Sequence, residues 1–143
     1  MVLTCRKSYA DIPFAHRQHR HAGHCAHIHG HSWTLSLTFA CKELDRHGFV
    51  VDFGGLGFVR EWIDRNLDHA CVIGADDPEL TWLKSKDGSV FKLLVIESAA
   101  AEGIARHLYA ALDPLVRAKT EGRAWIAEVE LHEDSRNSVR FVP

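Results

Sequence analysis

No run of this chain is apolar for long enough to cross a bilayer, which takes about 20 such residues, and the first residues, MVLTCRKSYADI, lack the apolar centre of a signal peptide. Cysteine is sparse. Cys5, Cys25, Cys41 and Cys71 contain no CxxC spacing, which argues against a disulfide framework at this length and fits a reduced, cytoplasmic setting. Excess charge of one sign is missing too: 17 Lys and Arg face 19 Asp and Glu, a net charge of −2. That balance argues against a nucleic-acid or polyanion binder driven by bulk electrostatics. Internal repeats, low-complexity tracts and Pro/Gly/Ser linkers are all absent. The 143 residues are therefore read as one domain, 1–143, large enough to bury a real core.

What the chain has in quantity is histidine, and in one place. Residues 14–31 read FAHRQHRHAGHCAHIHGH and hold seven of the eleven histidines. A solvated, tag-like tract has such a composition, but this one runs directly into a clean alternation of apolar and polar residues. Trp33, Leu35, Leu37, Phe39 and Cys41 take one face and Ser32, Thr34, Ser36 and Thr38 the other, which predicts a half-buried antiparallel strand. His29 and His31 share the parity of the apolar set. They therefore project from one face, toward the interior, with Gly30 leaving the backbone between them uncrowded. Neutral imidazole is the commonest protein ligand for a metal such as zinc. His16, behind the apolar pair Phe14-Ala15, is the best third ligand; His19, His21, His24 and His27 lie among polar residues and are read as solvent-facing. Three protein ligands with one open position is the pattern of a catalytic zinc site.

The rest of the chain reads as α+β with mainly antiparallel pairing. Residues 1–8 form a weak first strand, and 49–53 a strand in a hairpin behind the His47-Gly48 turn. Leu56, Val59, Ile63 and Leu67 have helical spacing. Val90 to Ile96 reads as a short strand after the Asp87-Gly88 turn. Residues 99–117 read as a helix capped by Ser98, with Pro114 kinking or shortening its end. Strands follow at 124–133, with Trp125, Ala127, Val129 and Leu131 on one face, and at 137–142.

Three further places carry chemistry. Cys25, four residues before His29, is either a fourth ligand in a closed site or a nucleophile or base near the metal. Asp68 and His69, after the first helix, either line a cavity together or simply meet the helix end. Glu133 has the parity of an apolar face. Either the strand has ended there, or its carboxylate meets a specific donor such as a ligand's N–H edge.

Phe14-Ala15-His16, Cys25 with His29-Gly30-His31, Gly48 to Asp52-Phe53, Leu67-Asp68-His69 and Glu133 occur in the order of one family. Through them the chain resembles the 6-pyruvoyltetrahydropterin synthase / 6-carboxytetrahydropterin synthase family over almost its whole length. The resemblance implies the tunnelling fold: a four-stranded antiparallel sheet with two helices on one face, closed into an oligomeric barrel. A hexamer built as a dimer of trimers, with active sites at subunit interfaces, goes with it. It implies zinc on His16, His29 and His31, Cys25 as base with Asp68 and His69 as its relay, and Glu133 and Glu102 binding the pterin. The implied substrate is 7,8-dihydroneopterin triphosphate. The implied product is 6-carboxytetrahydropterin, on the route to deazapurine nucleosides such as queuosine, or 6-pyruvoyltetrahydropterin in the other branch. The chain also departs from the family: the stretch from His16 to Cys25 is short, 74–96 is long, Gln18 stands for a leucine, and Ala100 stands for a pterin-holding threonine. A non-catalytic pterin- or metal-binding homologue is the alternative from another class. A zinc hydrolase ranks last, because no HExxH-like carboxylate is present.

Overall fold

The computed structural model describes residues 1–143. Its frame is a pair of long antiparallel strands, β1 (Leu3–His16) and β2 (His29–Cys41), joined by the histidine-rich loop. A helix, α1 (Gly57–Asn66), leads into β3 (Ala70–Gly74), a short helix α2 (Leu80–Ser85) and β4 (Lys92–Ile96). The long helix α3 (Ala101–Lys119) precedes β5 (Ala124–His132) and β6 (Ser138–Phe141). No helix is long and apolar enough to cross a membrane.

The sheet order is β4-β3-β1-β2-β5-β6. The central antiparallel strands and the two covering helices are as the sequence leads one to expect, but the sheet has six strands rather than four and is mixed. β3 lies parallel to β1 over only Ala15–Cys71 and His16–Val72, and β4 is parallel to β3. Every residue of β3 is buried. Val72 faces the main core, while Cys71 and Ile73 pack against Leu83 of α2, so the strand is covered on both sides. That double burial removes the alternation that would have marked it as a strand.

The main core lies between one face of the sheet and helices α1 and α3. Ile12, Trp33, Leu35, Leu37 and Phe39 from the sheet, Val59 and Ile63 from α1, and Ile104, Leu108 and Leu112 from α3 are all at most 1% exposed. Burying each of the larger of these side chains contributes about 1.5–3 kcal/mol. The opposite face is polar, with Arg6, Ser8, Ser36 and Glu130 among its side chains; the Ser8 and Ser36 hydroxyls meet at 2.7 Å.

Four local expectations change. Residues 49–53 form no strand: Val50 and Val51 turn into the core from an irregular segment, and Asp52 accepts the Gly54 N–H to start a 3-10 turn at Phe53–Gly55. Ala100, not Ser98, occupies the N-cap of α3, and no side chain caps it. Pro114 lies inside α3 without ending it. In β5 the pairing slips beside Phe39, so that Ala124 and Ile126 face the core while Trp125 and Ala127 do not; Val129 and Leu131 then continue the core face as expected.

Candidate metal centre

The centre is built at one end of the β1–β2 pair. His16 ends β1, His29 begins β2, and the two stand directly opposite each other in the ladder. His31 is two residues further on, opposite Phe14 and on the same face. This match depends on a bulge between Tyr9 and Ile12, where Asp11 takes φ 57°. The bulge switches the core-facing parity of β1 from odd positions to even ones, so that Ile12, Phe14 and His16 all point inward. Glu133, just past β5, joins them because it continues the Val129–Leu131 face. Its N–H donates to Asn137 O at 3.0 Å, which closes the turn between β5 and β6 around it.

The three imidazoles and the carboxylate offer ligand atoms that all lie within 4.8 Å of one another. His16 Nδ1–H donates to Ala99 O at 2.8 Å and His29 Nδ1–H to His27 O at 2.7 Å, which fixes both rings with Nε2 as the free lone pair. His16 Nε2 and His31 Nε2 are buried without a hydrogen-bond partner. Buried polar atoms are seldom left so. Glu133 Oε1 lies 3.3 Å from His16 Nε2 and 3.4 Å from His31 Nε2. The edge of a tetrahedron with zinc-like bonds of about 2.05 Å is about 3.3 Å. The donor set, the two edges at Glu133 and the two unsatisfied imidazole nitrogens therefore fit a divalent ion such as zinc.

Trp33 forms the floor. It stacks on Phe14 at 4.4 Å and meets His16 and His31 edge-on at 4.9 and 5.1 Å, with its Nε1–H donating to Phe14 O at 3.0 Å. Burial, opposed in part by the Ala99 carbonyl, pushes the His16 pKa below the usual imidazole range and keeps the ring neutral, the form that binds metal.

Residues 5–143 match the family described as 6-pyruvoyl tetrahydropterin synthase. The chain belongs to this family. A 6-carboxy-5,6,7,8-tetrahydropterin synthase of Rickettsia bellii is 35% identical over 110 residues, covering 76% of this chain and 78% of that one. Among solved structures, an uncharacterized protein of Wolinella succinogenes has a TM-score of 0.81 at 20% identity, covering 99% of this chain and 98% of that one. The 6-pyruvoyl tetrahydropterin synthase of Caenorhabditis elegans has a TM-score of 0.68 at 18% identity, covering 100% and 96%. At those identities the structures establish the shared fold.

The other residues expected at a tetrahydropterin synthase site stand outside the four-residue cluster. Cys25 is half-buried in a 3-10 turn, His24–Ala26, with its carbonyl accepting the Gln18 N–H at 2.9 Å. Asp68 and His69 hydrogen-bond to each other at the end of α1. His69 takes φ 59°, its N–H donates to Pro13 O at 2.7 Å, and its side chain is 81% exposed. Glu102 is exposed in the first turn of α3. Two supporting groups escaped the sequence reading. Ala99 acts through its backbone carbonyl, for which no side-chain pattern exists. Trp33 reads only as a core residue until the register sets it beneath the imidazoles.

Proposed function

We propose that this chain is a zinc-dependent tetrahydropterin synthase of the 6-carboxytetrahydropterin type, acting on 7,8-dihydroneopterin triphosphate or a related dihydropterin. The observation that carries the reading is the pair of buried, unpartnered imidazole nitrogens on His16 and His31, at tetrahedral-edge distance from Glu133. The name of the Rickettsia relative favours the 6-carboxy branch, whose product would feed a deazapurine nucleoside route such as that to queuosine.

His16, His29 and His31 would hold the ion. Zinc there would supply Lewis acidity that eases removal of C–H protons beside the oxygens of the substrate side chain. Cys25 takes such a proton as a thiolate. His69, oriented by Asp68, carries a proton to or from the reacting carbons. Glu133 turns from the imidazoles to the N–H edge of the pterin when substrate arrives, leaving an open position as a catalytic site requires. Glu102 adds a second carboxylate toward the ring. The exposure of the His69 ring supports a site completed between subunits, and the free edges of β4 and β6 support association of copies into a hexamer, a dimer of trimers. The cytoplasm is the proposed location.

The test is anaerobic incubation of the zinc-loaded protein with 7,8-dihydroneopterin triphosphate, with products read by mass spectrometry. Formation of 6-carboxytetrahydropterin, abolished in a Cys25→Ala variant that keeps its zinc, is expected. A 6-pyruvoyl product would move the chain to the other branch. Absence of turnover with zinc bound would leave a binding homologue. Loss of zinc from Cys25→Ala would make the cysteine a ligand.

A further inference from the structure

The loop 17–28 carries Cys25; local hydrogen bonds such as His21 N–H to Gln18 O shape it, but its one ordered turn buries no residue. Its half-buried anchor is Arg17, immediately after His16; Arg20 adds an exposed pair with Asp76. Arg17 Nε and Nη2 donate to the two oxygens of Asp77 at 2.7 and 2.6 Å, and Nη1 reaches back to Ala26 O at 3.2 Å. The next residue, Gln18, donates its N–H to Cys25 O at 2.9 Å. The two residues that follow His16 thus hold the two carbonyls at and beyond Cys25.

Asp77 is fixed in turn. Its side chain is fully buried, Oδ1 also accepts the Glu79 N–H at 2.9 Å, and its own N–H donates to Gly74 O at the end of β3. Two residues before that, Val72 pairs with His16. A closed circuit results: His16 to β3, β3 to Asp77, Asp77 to Arg17, and Arg17 to the Cys25 turn. The loop that carries Cys25 is thereby tied to the turn that follows β3.

Burying a carboxylate is costly, and a well-packed apolar pair would serve stability as well or better. An apolar pair has no direction, however. A planar guanidinium with donors in a fixed fork can engage Asp77 and Ala26 at once and sets the angle between them. We propose that Arg17 and Asp77 are positioning residues that fix Cys25 relative to the His16–His29–His31 centre, Arg17 acting through Ala26 O and Asp77 through Arg17. The inference rests on the proposed role of Cys25 as base.

Arg17→Lys, Asp77→Asn and the double variant test it on the metal-reconstituted full chain. Arg17→Lys keeps the charge and loses the fork. Each variant is expected to bind one equivalent of zinc and to alkylate Cys25 with iodoacetamide several-fold faster than wild type, relative to buried Cys41, with sites mapped by mass spectrometry. Where turnover is measurable, kcat falls by about 100-fold while KM holds, the loss associated with about 1 Å of misplacement. Because the two act in series, the double variant costs no more than the worse single. Wild-type behaviour of Arg17→Lys would reduce the pair to charge neutralisation and overturn the proposal, as would alkylation rising equally at Cys41. The alkylation ratio decides the clamp even if the wild type fails to turn over the pterin, so the two readings fail separately.

Discussion

Replacing Gly103 with alanine separates helix propensity from the architecture of the metal centre. Gly103 lies in the first turn of α3, where alanine is the better helix former by about 1 kcal/mol. A Cβ built there would sit 2.2 Å from Ser98 O, 2.7 Å from Ser98 Cβ and 2.9 Å from Ser98 C. The first distance is more than an ångström inside ordinary contact. The obstacle is mainly backbone, so the 97–100 turn must retreat. Overpacking of this kind costs about 1–3 kcal/mol, and the closeness of the contact puts Gly103→Ala at the upper end, for a net loss of about 1–2 kcal/mol. For a chain of this length that lowers Tm by roughly 3–8 °C. The neighbour of Ser98 is Ala99, whose carbonyl orients His16. Its displacement is expected to weaken zinc by about 10–100-fold, as loss of an outer partner of a ligating histidine does. Melting of the metal-free protein and zinc competition against a chromophoric chelator measure the two effects. A raised Tm with unchanged zinc affinity would refute the reasoning, because propensity alone would then have decided the outcome.

Two further changes follow from single side chains. The Tyr9 hydroxyl is buried without a partner, and burial pushes its pKa up to about 12. Tyr9→Phe should therefore stabilise the fold by about 1 kcal/mol, and urea midpoints check this. The folded phenol stays protonated where the unfolded one ionises, so wild-type stability falls as pH rises from about 10 toward 12. The variant should lose that alkaline slope, and equal slopes would sink the argument. Asp113, 6% exposed on α3, accepts the Ile126 N–H at 2.8 Å and Arg117 Nε at 2.7 Å. Asp113→Ala leaves the strand N–H unsatisfied and should cost about 1–3 kcal/mol by denaturant titration. An unchanged midpoint would mean that β5 does not depend on this tie.

The alternation from Trp33 to Cys41 placed His29 and His31 on the inner face of a strand, because side-chain direction in a strand is a local property with a period of two. The helices holding Val59 and Ile63, and Ile104 and Leu108, were legible for the same reason at a period of 3.6. Parity put Glu133 on the face of Val129 and Leu131, where the structure has it just past the end of β5, although Trp125 and Ala127, used in the count, lie on the other face. The slip beside Phe39 separates them, and a bulge carries no periodic signal. The irregular 49–53 segment, the doubly covered β3 and the six-strand order were set by long-range burial, where local pattern carries little information. So was the site itself. The bulge at Tyr9–Ile12 and the register that brings His16 opposite His29 are contacts between distant segments, and Ala99 enters only through its backbone. The amino-acid order by itself determined which side chains could bind a metal and which face they would take. Only the packing of β1 on β2 and β3, and of the α3 entry turn on His16, decided that four of them converge within 4.8 Å, with the Nε2 atoms of His16 and His31 buried and unpartnered, because convergence needs a register that no short stretch of sequence encodes.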